Sequence, residues 1–197
     1  MSTVACGDAC ILLDLTPLFN NDGISYAQNL RDGGFNVWKN TFPAEELPES
    51  LSLIDVAGIP FRFPSKEDGH LNNVVCAGQR LDVPVARYDW IYLLTAGERR
   101  SEDLVYLHYA SGAVDPEWLR VSDFWPEAGA RFGEIEAFRC TQMHFPRHVQ
   151  PRVQPGIWMQ RIPVPRQEPL AWLHLPDNLS MHIFAATAIK TTRGLLA

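Results

Sequence analysis

No apolar run in this chain approaches the roughly 20 residues that a membrane helix requires, so no membrane-spanning helix is expected. Cysteine is scarce, with four residues at 6, 10, 76 and 140. Cys6 and Cys10 form a C-x3-C pair without the second pair of a zinc site. Free thiols in a reducing compartment are therefore expected, with a set completed by His as the alternative. The first ten residues carry no basic region, and Asp14 interrupts the short apolar run that follows. No export signal is expected, and the location that follows is cytoplasmic. Basic charge is also short: 17 Lys and Arg face 23 Asp and Glu, for a net charge of −6, which argues against nucleic acid as a partner. Phosphate-loop, dinucleotide and G-x-S-x-G patterns are missing, so no organic cofactor is implied.

The chain has 197 residues, of which 46% are hydrophobic, enough for one well-cored domain. Fifteen prolines and thirteen glycines divide it into short runs of Val, Ile, Leu and aromatics. Strands are expected at 9–15, 51–56, 59–63, 73–76, 79–81, 90–96, 103–109, 118–121, 136–143, 157–161, 170–175 and 181–188. Helical signals are confined to Pro43-Ala44-Glu45-Glu46-Leu47, which Pro48 ends within one turn. The pattern predicts an all-β, single-domain antiparallel β-sandwich, of jelly-roll type, over 11–190. A flexible N-terminus (1–10) and a tail (191–197) would flank it.

Residues 129–167 hold Pro146, Pro151, Pro155, Pro163 and Pro165. Proline removes ladder donors, so edge strands and ordered loops are expected there, where binding residues commonly sit. From 139 to 166 there are five arginines and no Lys, Asp or Glu, so that stretch is +5 and the rest −11 of a net −6. Such a patch suits an anionic small molecule, unless neighbouring acids pair with it.

Several segments carry a family likeness: Leu15-Thr16-Pro17-Leu18-Phe19-Asn20-Asn21-Asp22-Gly23, Phe42-Pro43-Ala44-Glu45-Glu46-Leu47-Pro48, Gly58-Ile59-Pro60-Phe61-Arg62-Phe63-Pro64, Asn72-Asn73-Val74-Val75, and Pro176-Asp177-Asn178 leading to His182-Ile183-Phe184-Ala185. In this order they resemble the galactose-binding-like β-sandwich modules appended to actinobacterial glycoside hydrolases. The resemblance spans about residues 12–187. It implies a β-sandwich fold and an accessory role in binding carbohydrate.

Two functions are therefore carried forward. One is a module that binds a small molecule or sugar through Trp125, Trp158, Tyr109, Arg139 and His144, because aromatic faces pack on the apolar face of a pyranose. The other is a cofactor-independent cyclase, isomerase or lyase acting on a secondary metabolite, with Asp123 or His144 as the acid or base. An interaction module that forms a homodimer through strand edges is a third reading. Trp90 and Trp172 read as core, while Trp38 fits a loop or a site. Asn20-Asn21-Asp22-Gly23 reads as a turn; Asn20 and Asp22 are also candidate ligands for a structural calcium ion.

Overall fold

From His182 to Ile189 the sequence is apolar at nearly every position, the pattern of a strand covered on both faces. In the computed structural model, which describes residues 9–125 and 129–191, this run belongs to the last and longest strand, β16 (Asp177–Lys190). The strands before it are β1 (Cys10–Leu13), β2 (Ile24–Ser25), β3 (Phe42–Pro43), β4 (Leu53–Val56), β5 (Ile59–Arg62), β6 (Val74–Ala77), β7 (Arg80–Ala86) and β8 (Tyr88–Gly97). Then come β9 (Ser101–Tyr109), β10 (Val114–Val121), β11 (Ile135–Arg139), β12 (Gln142–Phe145), β13 (His148–Pro151), β14 (Gly156–Pro163) and β15 (Leu170–His174). Among the described residues the only helices are three 3-10 turns, one of them at Ala44–Glu46, where Pro48 was expected to cut the helix short.

A six-stranded sheet runs β1-β16-β8-β14-β11, with β6 also on β16, and a four-stranded sheet runs β10-β9-β15-β7. All of their pairings are antiparallel. The expected all-β sandwich is therefore the fold. One core lies between these sheets, built from Leu93, Val105, Leu107, Leu173, Ile183 and their neighbours. A second core covers the other face of the large sheet, beneath β2–β5, β12 and the loops around them. Along β16, Met181, Ile183, Ala186 and Ala188 enter the first core. A bulge after Ile183 then lets both Phe184 and Ala185 enter the second.

The structure corrects several expectations. Residues 136–143 form two strands, β11 and β12, and β2, β3 and β13 were not expected. The proline-rich segment contributes more than edges, since β14 pairs with β8 on one side and β11 on the other. Its prolines sit where they cost little: Pro155 precedes the strand and Pro163 is its last residue. Trp90 and Trp172 are half-buried rather than core. Trp172 stands on the outer face of the four-stranded sheet, its ring stacked 3.4 Å from that of His108. Cys76 and Cys140 are free and buried, but Cys10, expected as a free thiol, is disulfide-bonded. β1 begins at Cys10 and β16 ends at Lys190; most of the expected N-terminal extension and C-terminal tail lies outside the described residues. No helix among the described residues is long and apolar enough to cross a membrane.

Candidate functional site

The site begins with a glycine whose place leaves little room for a side chain. A Cβ on Gly97 would meet Arg99 O at 2.6 Å and Ser122 O at 2.9 Å. Without that Cβ, the Gly97 N–H donates to Ser122 O (3.2 Å) and Gly97 O accepts from the Phe124 N–H (2.9 Å). Residues 122–124 are thereby held against the end of β8. Glu98, Arg99 and Arg100 turn the β8–β9 hairpin, with Arg99 left-handed at φ 71°. Asp123 Oδ1 accepts from the Trp125 N–H (2.9 Å), and the Trp158 indole N–H donates to Asp123 O (3.1 Å).

The facing wall is the loop from Phe35 to Asn40. Phe35 packs on Phe124 and stacks on His182, with ring centroids 3.9 Å apart. The Phe35 N–H donates to Asn40 O (2.8 Å), and Asn36 Oδ1 accepts from the Trp38 N–H (3.0 Å). Trp38 is 71% exposed and stands clear of the core. Asn40 is 2% exposed; its amide N–H₂ donates to Met143 Sδ (3.0 Å). Its Oδ1 is buried and has no hydrogen-bond partner.

Between the walls lies an open cleft of about 270 Å³. Trp38, Trp125 and Phe124 supply its aromatic surface, and Asn36, Asn40, Glu98, Arg99 and Asp123 its polar groups. A hollow of about 340 Å³ beside β1 is larger, but none of its polar atoms is buried without a partner. There Asp14 Oδ1 accepts from the Thr16 N–H, and Arg62 reaches Leu51 O.

Of the residues singled out from sequence, Asp123 and Trp125 come together in the cleft, and Trp38, which fitted a loop or a site, stands on its wall. Tyr109, Trp158, Arg139 and His144 lie elsewhere. Tyr109 is 3% exposed within the first core, where burial, followed by the charge of Asp115, pushes its hydroxyl up to about 12. Trp158 is buried under Arg139, whose guanidinium lies 5.0 Å from the ring centroid. Arg139 is taken up by Glu136 (2.6 Å) and Gln154 O (2.8 Å). His144 is fully buried on β12, with Nδ1 3.1 Å from both Ser25 Oγ and Ser25 O. A carbonyl only accepts, so Nδ1 carries the proton there. Nε2 has no partner, and burial lowers the pKa of the ring. His144 is not among the residues that line the cleft holding Asp123.

The turn named as a calcium candidate is built as a structural lock. Both amide atoms of Asn20 pair with the backbone of Val75, as another strand would. Asp22 Oδ1 accepts from Asn72 Nδ2 (2.5 Å), and Asn73 continues the chain to His182 Nδ1 (2.8 Å). Burial lifts the Asp22 carboxyl to about 6, with smaller contributions from Asp32 and Asp68. Among the described residues, no group of three or more His, Cys, Asp or Glu is placed to hold a metal ion.

Over residues 9–192 the chain matches one family model. It belongs to the AziU2-like β-sandwich domains. No curated protein matches it. The AziU2-like assignment agrees with the two-sheet architecture and leaves the galactose-binding likeness as a resemblance. In this AziU2-like domain no motif or spacing marked Asn40, Glu98 or Arg99 as wall residues. Asn36 does stand two residues before Trp38, the spacing of the Asx turn in which its Oδ1 takes the Trp38 N–H.

Proposed function

We propose that this AziU2-like domain binds a small, hydroxyl-rich molecule, such as a sugar, in the cleft between Trp38 and Trp125. One observation carries the reading: Asn40 Oδ1 is a buried acceptor without a donor on the wall of an aromatic cleft. Such an atom costs about 1–3 kcal/mol when left unpaired, and a ligand O–H or N–H would recover it. Asp123 keeps Oδ2 free of protein partners among the described residues and would accept a second hydroxyl. Trp38 and Trp125 would pack on the apolar face of the ring.

Binding is favoured over catalysis by where the perturbed groups lie. Burial shifts Asp22, His144 and His182, and none of the three lines the cleft between Trp38 and Trp125. Titrating the full chain with a panel of monosaccharides and polyols by calorimetry, while following indole N–H resonances, tests the reading. A saturable ligand that shifts Trp38 and Trp125, and that Asp123→Asn weakens by about tenfold, is expected. A panel with no saturable ligand, or one whose ligand leaves both indoles unmoved, would overturn it. Turnover of a bound compound that Asp123→Asn abolishes would move the protein to the enzyme reading.

A further inference from the structure

The sandwich is open along the side where β10 lies beside β14, and a cleft of about 390 Å³ occupies that opening. Trp90, Trp118, Phe132 and Pro163 line it, and Trp118 is 51% exposed. Two guanidiniums line it as well, each over an indole: Arg161 lies 4.5 Å from the Trp90 ring centroid and Arg120 5.5 Å from that of Trp118. Of the arginines in the +5 stretch, Arg139 is matched by Glu136 and Arg166 by Asp115 and Glu168. Arg161 makes no ion pair among the described residues. Arg120 uses only Nε, toward Glu102 (3.1 Å). Gln160 fixes the floor between the strands, donating to Arg120 O (2.8 Å) and accepting from the Arg161 N–H (2.8 Å). Past Gly133 and Arg161 the space continues into a cleft of about 250 Å³ walled by Ile59, Tyr92 and Met159.

We propose that this opening is a second binding site, for a carboxylate or other oxoanion carried on a flat, apolar body. The unmatched fork of Arg161 would take the anion in bidentate fashion, and the indoles and the adjoining cleft would hold the body. Glu117 also lines the opening, and among the described residues it pairs with neither guanidinium. The site shares no residue with the Asn40 cleft and stands or falls apart from it.

The test titrates the full chain with indole-3-acetate and, separately, with its uncharged carboxamide, by calorimetry and by the indole N–H shifts of Trp90 and Trp118. The carboxylate is expected to bind about tenfold or more tightly than the carboxamide, and Arg161→Gln to remove that preference. Trp118→Ala should weaken both compounds, whereas Arg147→Gln, an exposed arginine of the same stretch, should change neither. Equal binding of the two compounds, a preference that survives Arg161→Gln, or no binding of either at millimolar concentration would overturn the proposal.

Discussion

The two faces of the six-stranded sheet are packed by different chemistry. Against the four-stranded sheet the filling is mainly aliphatic, with Leu, Val and Ile from facing strands, the two rings of Tyr88 and Tyr109, and no buried phenylalanine among the described residues. Against the layer of short strands and loops, the filling includes Phe35, Phe42, Phe61, Phe63, Phe124 and Phe184. Regular sheets satisfy their own backbone groups and bring side chains together at even spacing, so branched aliphatics fill the gap. Loops do neither. Their packing needs large rings, and their buried carbonyls and N–H groups need side-chain partners. Lys66 supplies one such partner, donating from Nζ to Ala44 O (2.9 Å) and Leu47 O (3.2 Å) while only 5% exposed. Asn72 and Asn73 do the same for residues 21–23. The irregular face is also the one bordered by the Asn40 cleft.

The sharpest test of this contrast removes a ring. Phe42→Ala should cost about 3–5 kcal/mol in urea unfolding, and amide exchange should rise in the loop layer before it rises in β9 and β15. A uniform rise would erase the distinction between the faces. Next is a pair of polar changes. Asn73→Ala strands Asn21, Asn72 and His182 together and should cost about 2–4 kcal/mol. On the other hand, Thr95→Val deletes one 3.3 Å bond to Trp158 O and should stay within about 1 kcal/mol. Equal costs would contradict the contrast.

Acid should act on the loop face. Burial pushes His182 down from 6.5 to about 3, so the folded ring stays neutral while the unfolded one takes a proton below 6.5. Stability is then full above that value and falls as pH drops, by about 2 kcal/mol between pH 7 and pH 5 for this group. His144 acts in the same direction. Asp22 opposes them. Its carboxyl is raised from 3.8 to about 6, so its contribution is present at low pH and is lost as pH rises through about 6. Asp22→Asn should therefore steepen the acid limb, and His182→Gln should flatten it, in unfolding curves taken across that range.

Smaller effects are expected at the cleft and the surface. Gly97→Ala forces backbone apart at Arg99 O and Ser122 O and should cost about 1–3 kcal/mol, with a shift of the Trp125 indole resonance. Glu102→Gln removes an exposed partner of Arg120 and should change the unfolding midpoint by no more than about 0.5 kcal/mol.

Strand alternation and proline placement made most of the sandwich legible from sequence, because those signals act over a few residues. The Asp123–Trp125 turn was legible for the same reason. Asn40 and Glu98 were not, since each becomes a wall residue only when a loop 58 positions away in sequence folds against it. Trp172 and Tyr109 misled in opposite directions: both lie in aromatic strands, and a bulge between Leu170 and Trp172 helps decide which ring faces outward. The arginine run was visible as charge, but which guanidiniums are matched depends on acids such as Asp115, 51 residues from Arg166. The chain by itself therefore determined an all-β domain and the positions of most of its strands, through local steric preference and period-two burial. Which face of each strand is covered, which polar atoms lack partners and where the clefts open were decided by contacts between distant segments.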